Sequence, residues 1–305
     1  MTRKLLFVLL LLFAAVAAFG QIQTVTRKSS TSTKASAKPT HTTPSAKKKT
    51  ATQTRKQEAA PKRQQTPRRV LTPEEQQVID NLIANMIYVE GGTFMMGATS
   101  EQEISEKSDN QPAHEVTLSS FSIGRYEVTQ EEWQAVMGGS FRNDAKLPVV
   151  SRNWRVCQEF IQKLNELTGK KFRFPTEAEW EYAARGGQKS QGYIYAGGNN
   201  LDAVAWHWGN SGSKLHPVGQ KEANELGLYD MTGNAEEWCS DVYEKDYFSV
   251  SPKENPQGPV GPEGPPYHVI RGSYKGGGKK QCQIAHRNSF PEWGGSDTLG
   301  LRLAW

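Results

Sequence analysis

The fifty residues from Gln21 to Val70 contain no Trp, Tyr or Phe and are dominated by Thr, Ser, Lys, Ala, Gln and Pro, so they cannot bury a core. A globular fold is therefore confined to residues 71–305. The same break divides the charge. Of the 37 Lys/Arg and 32 Asp/Glu in the chain, thirteen basic residues and Glu58 alone fall in this stretch and two basic residues precede it, leaving 22 basic against 31 acidic after Val70. The net charge of +5 thus conceals an acidic domain on a basic leash. Such a segment reads as a disordered spacer, or as a tail for anionic polymers of the cell envelope, and not as specific nucleic-acid recognition.

Residues 1–20 carry Arg3 and Lys4, an apolar run from Leu5 to Phe19 and small residues before Gln21. This is the pattern of a secretory signal peptide, and the run is shorter than the roughly 18 to 20 residues a membrane span requires. No Cys stands near the cleavage region to take a lipid anchor. The expectation is an exported protein in the periplasm, on the cell surface or secreted, and not an integral membrane protein.

Order is expected from Thr72, where Thr-Pro-Glu-Glu supplies an N-cap, a first-turn Pro and an acid at the third helical position. Val78, Ile79, Leu82, Ile83 and Met86 recur at helical spacing. Ile87 to Gly97 reads as two short strands joined at Gly91-Gly92, and Val116 to Ile123 as a third. Capping boxes at Thr129/Glu132 and Thr176/Glu179 open further helices, closed by Gly138 and Gly186. Between them Val156, Phe160, Ile161, Leu164 and Leu167 mark the longest helix, ended by Gly169. Beyond Gly187 little periodicity remains, so the second half reads as loops stitched by short strands in one α+β domain.

Within that half, GLYDMTGNAEEW from Gly227 to Trp238 packs oxygen donors, glycines and an aromatic residue into one loop. Asp230, Asn234, Glu236 and Glu237 have the chemistry to wrap a hard cation such as calcium, which takes six to eight oxygens, backbone carbonyls included. The other reading is a turn entering a strand, with solvated acids and a buried Trp238. The alternating Asp/Asn ladder of the helix-loop-helix calcium motif is absent.

The segment RFPTEAEWEYAARGG, Arg173 to Gly187, resembles the formylglycine-generating enzyme, or sulfatase-modifying factor, family. YVEGGTFMMG, EVTQEEW, HPVG at His216 to Gly219, NELGLYDMTGNAEEW, VIRGS and GLRLA extend the likeness across residues 71–305. The resemblance implies a loop-rich variant of the C-type lectin fold, with short sheets and peripheral helices. It also implies a structural calcium held by side chains matching Asp230 and Glu237 and carbonyls matching Gly233 and Ala235.

In the authentic enzyme, two thiols five residues apart bind copper(I), to which soft thiolates are suited, and oxidise a client Cys. Aligned on Arg271-Gly272-Ser273 and on Arg287, those positions fall on Gly276 to Lys280, where there is no Cys. Copper is therefore not expected, and the chain reads as a pseudoenzyme. The residual catalytic candidates are Cys282, Ser273 and Arg287. Of the three cysteines, Cys157 sits on an apolar helix face, while Cys239 and Cys282 are candidates for a disulfide or for joint metal ligation. The histidines are scattered without metal-binding spacing. The function expected is a calcium-stabilised binding or scaffold domain for a protein, peptide or glycan of the cell envelope. Its groove would be lined by Trp206, Trp208, Tyr274, Arg287 and Trp293, since aromatics and Arg concentrate binding energy. The alternatives are a formylglycine-generating oxidase with a noncanonical thiol site, and a component of an envelope secretion or gliding assembly.

Overall fold

A computed structural model describes residues 69–102, 109–141, 143–261 and 264–305. The expected signal peptide and all but the last two residues of the expected linker lie outside the described residues.

Helix α1 (Pro73–Ala84) starts where the sequence places it: Thr72 Oγ1 accepts the Glu75 N–H at 3.2 Å and the Glu75 carboxylate accepts the Thr72 N–H at 3.0 Å. It buries Ile79 and Leu82. Strand β1 (Met86–Val89) pairs antiparallel with β4 (Phe121–Gly124), and β2 (Gly92–Met96) with β3 (His114–Leu118). The single strand expected over 116–123 is thus two strands in two sheets. The chain turns at Ser119 and Ser120, whose groups bond Asn255 Oδ1 at 2.8 Å and the Gly91 N–H at 3.0 Å, so the backbone there has partners outside any ladder. Gly91 must be glycine, because a Cβ would lie 2.3 Å from the Leu118 carbonyl oxygen.

Helix α2 (Gln130–Met137) has the Thr129/Glu132 capping box. Helix α3 (Trp154–Thr168) is capped by Asn153, three residues before the apolar pattern begins, and ends at Gly169 with φ 71°. The two pack through Trp133 stacked on Phe160 at 4.9 Å. Helix α4 (Glu177–Ala184) is buried along its whole length and stops at Arg185, one residue before the expected glycine. A short α5 (Leu201–Val204) follows.

The loop-rich half is organised by one four-stranded sheet. Strands β5 (Glu236–Val242), β6 (Tyr267–Arg271), β7 (Asn288–Pro291) and β8 (Leu299–Leu301) lie in the order β7-β6-β5-β8, with β5 and β8 parallel and the other pairs antiparallel. Trp180 of α4 and Trp238 of β5 are wholly enclosed, and burial of each indole contributes up to about 4 to 6 kcal/mol on area grounds. No helix among the described residues is long and apolar enough to cross a membrane.

Candidate binding site and carboxylate centre

Helix α4 carries Glu177, Glu179 and Glu181, all buried, and buried carboxylates demand cationic partners. Glu177 takes Arg271 at 2.9 Å and a two-point bond from Arg287 at 2.7 Å on each oxygen. Glu181 takes Arg271 at 2.6 Å and Arg185 at 2.9 Å. Arg287 is further enclosed by the Phe248 and Tyr243 rings, 4.3 and 5.1 Å away. The structure therefore removes Arg287 from the expected groove and from the catalytic candidates. Its charge is committed to Glu177 of α4 and its remaining donor, Nη1, to the Asp109 and Glu244 carbonyls at 3.1 and 3.3 Å, a pairing that local sequence cannot reveal across 110 residues.

A second charged centre forms at the Gly227–Trp238 loop. Asp230, Gly233 and Asn234 adopt left-handed backbone, with φ of 56°, 81° and 61°. Gly233 has no substitute: a Cβ would lie 2.2 Å from the Trp206 carbonyl oxygen. Glu237 is fully buried in β5, where Arg302 reaches both its oxygens at 2.6 to 3.0 Å and the Trp180 indole donates at 2.7 Å. Asp230 accepts the Gly219 N–H at 2.7 Å through Oδ2, while Oδ1 is buried without a partner. Glu127 completes the centre, accepting the Ala235 N–H at 2.8 Å and the Asn234 amide at 2.7 Å. Burial, then the neighbouring Asp230 and Glu237, pushes the Glu127 carboxyl well above its ordinary range. Burial pushes Asp230 up to about 6, against the opposing pull of its Gly219 bond and of Arg302.

Three buried carboxylates thus share one guanidinium. Glu127 and Arg302 belong to the centre although the sequence reading overlooked them; their signal was their place in the motifs EVTQEEW and GLRLA. Asp230, with an orphaned hard oxygen, fits a calcium ion. Glu237 fits less well as arranged, because its oxygens already receive Arg302 and Trp180. Glu236, one residue earlier, lies apart from this centre; burial raises it to about 7 while Asn288 and Thr298 pull it down.

The third cluster is the segment after β6. Ser273 is buried with φ 63°, and Cys282 Sγ lies 3.6 Å from its Oγ and 3.8 Å from the Gly277 carbonyl. The structure brings these two catalytic candidates together. Yet burial pushes the Cys282 thiol up to about 11, and no imidazole or carboxylate bonds Ser273 among the described residues, so neither is activated as a nucleophile. Cys157, Cys239 and Cys282 are all free and buried, each in a different apolar cluster. The expected Cys239–Cys282 disulfide does not form, because Cys239 packs under α4 and Cys282 against Tyr195 and Leu201. The same separation means that these thiols do not fit a two-thiolate copper(I) site.

Of the groove aromatics, Trp208 is 75% exposed and its backbone N–H donates to the Gly277 carbonyl at 3.1 Å, which joins its segment to the glycine stretch. Tyr274 borders the same stretch, half-buried. Trp206 is instead a packed residue, stacked on His216 at 3.7 Å with the Lys221 ammonium 4.1 Å from its ring. Trp293 is exposed but stands edge-on to Tyr267 at the β6–β7 end, 6.2 Å between centroids.

This assembly, short antiparallel and mixed sheets with helices around a loop-built half, defines a formylglycine-generating-enzyme-like α+β fold. The chain belongs to the sulfatase-modifying factor enzyme 1-like domain family, which matches residues 71–305. It is 38% identical over 208 residues to the chaperone protein LppX of Paenibacillus barcinonensis, covering 51% of this chain and 70% of that one. Identity to the formylglycine-generating enzyme of Streptomyces coelicolor is 33% over 172 residues, covering 52% of each chain, so this protein matches about half the length of that enzyme. Among solved structures, Treponema denticola variable protein 1 superposes with a TM-score of 0.63 and 31% identity over 72% of this chain and 94% of its own.

Proposed function

We propose that this protein is an exported binding or scaffold domain that keeps the frame of the formylglycine-generating enzyme without its copper oxidase chemistry. The observation that carries the reading is the pairing of Trp208, three-quarters exposed, with a Gly276–Lys280 stretch that holds no thiol. An exposed indole on a glycine-rich surface suits a protein, peptide or glycan partner of the cell envelope. The buried carboxylate centre supports a structural calcium held by Asp230 and the carbonyls of Gly233 and Ala235, with a share of Glu237. The ion would offset the excess buried negative charge.

The test is chemical. Purified protein, copper(I), oxygen and a Cys peptide of the sulfatase type are incubated and the peptide is weighed by mass spectrometry. The expected result is an unchanged thiol peptide. Aldehyde formation that disappears in Cys282→Ser would establish the oxidase reading instead.

A further inference from the structure

Strand β2 and the C-terminal end of α4 enclose a cavity of about 220 Å³ that opens to solvent. This is below the roughly 300 to 1,000 Å³ typical of sites for drug-sized ligands, so its occupant must be small. It lies apart from the Trp208 surface and makes no use of the carboxylate centre.

One wall is apolar. Phe94 and Tyr182 are tilted against each other with centroids 5.1 Å apart, and Met95 beside them is 45% exposed. Arg185 brings a positive charge to the lining. Its Nε and Nη2 hold Glu181 Oε1 at 2.9 and 2.8 Å, and Nη2 also donates to the Gly97 carbonyl at 2.7 Å. Those bonds fix the guanidinium plane, and among the described residues Nη1 has no hydrogen-bond partner, leaving a charged donor of set direction. Glu101 brings the opposite charge. Its carboxylate accepts the Thr99 hydroxyl, and that bond, with a smaller contribution from the Arg185 charge, holds it below the usual range.

Glu101 and Arg185 do not bond each other, although both line the cavity beside the apolar wall. A ligand of single charge would be attracted by one and repelled by the other; a zwitterion satisfies both. In a free α-amino acid both charges stand on one carbon, whereas the termini of a peptide lie further apart and need more room than about 220 Å³, so the free amino acid is the class of zwitterion that fits. We infer that this cavity binds a free α-amino acid with an aromatic or large apolar side chain. Its carboxylate meets Arg185 Nη1, its ammonium meets Glu101, and its side chain lies on Phe94, Met95 and Tyr182.

The test is calorimetric titration of the full chain with L-phenylalanine, compared with phenethylamine, 3-phenylpropanoate and glycine. L-phenylalanine should bind saturably, with each of the other three about tenfold weaker or more, the effect of losing one charge-assisted bond or the buried ring. Glu101→Gln should erase the preference for L-phenylalanine over 3-phenylpropanoate, and Met95→Asp should abolish binding; both sites are exposed, so the melting temperature should hold. Arg185 variants risk the fold through Glu181 and are not needed. Absence of binding at low-millimolar L-phenylalanine, equal binding of all four compounds, or binding indifferent to both substitutions would overturn the assignment.

Discussion

Glu237 and Arg302, 65 residues apart in sequence, meet as a wholly buried pair in which the guanidinium reaches both carboxylate oxygens at 2.6 to 3.0 Å. The pair joins β5 to the end of β8, and Arg302 also donates to the Gly124 and Tyr229 carbonyls at 2.9 Å, so a single side chain ties four segments. Removing one partner strands the other charge in the interior. Glu237→Gln or Arg302→Met should each lower unfolding free energy by about 3 to 5 kcal/mol, read from urea denaturation. The double variant should cost less than the two single losses added together, because neither charge is then left alone.

The raised carboxylates predict an unusual pH response. Burial pushes Asp230 up to about 6 from 3.8, Glu132 to about 7 from 4.5 and Asp241 to about 7 from 3.8. Between the unfolded and folded values the native state holds the extra protons, so stability is present at the acid side and falls as pH rises through this window. The metal-free protein should melt higher at pH 5.5 than at pH 7.5, by differential scanning calorimetry. Asp230→Asn should flatten the part of the slope between about pH 4 and 6.

Calcium acts on the same group in the opposite sense at neutral pH. At a free concentration about a hundredfold above its dissociation constant, the ion should raise the melting temperature by roughly 5 to 10 °C, reversed by chelator. Asp230→Asn should abolish the response, since it neutralises the one orphaned carboxylate oxygen in the centre. A melting curve indifferent to calcium in the parent protein would remove the ion from the proposal.

The thiols give a direct count. Burial pushes Cys157 up to about 12 and Cys282 up to about 11, and Cys239 is raised by burial and by neighbouring acids. A disulfide-exchange reagent should find none of the three in the native protein and all three in guanidinium. Recovery of one thiol on denaturation would mean that two are bridged.

Trp208 and Arg287 should separate binding from folding. Trp208→Ala removes an exposed ring and should change stability by less than about 0.5 kcal/mol while abolishing capture of the envelope partner. Arg287→Ala leaves Glu177 with less of its buried compensation and should cost about 3 to 5 kcal/mol, measured by the same denaturation.

Much of the frame is local chemistry and is readable residue by residue. Thr72, Thr129 and Thr176 each announce a helix because the hydroxyl and the acid three residues on complete a capping box within one turn. The spacing of Phe160, Ile161 and Leu164 gives α3 its buried face for the same reason. The break at Ser119 shows in sequence only as a slip of phase, since Val116 and Leu118 are followed by Phe121 and Ile123, one residue out of a single strand's alternation, and the partners that divide the segment are the distant Gly91 and Asn255.

By itself, then, the sequence determined where the first helix starts, which other helices form and which family frame they build, since caps, turns and apolar periodicity act over a few residues. Only the tertiary structure decided which charges are compensated and by what. Arg287 as a prop for α4, Arg302 on Glu237, Glu127 beside Asp230 and the three separated thiols all depend on contacts between distant segments. The energy of a buried charge is set by what surrounds it in space, and that is specified by the packing of the whole domain.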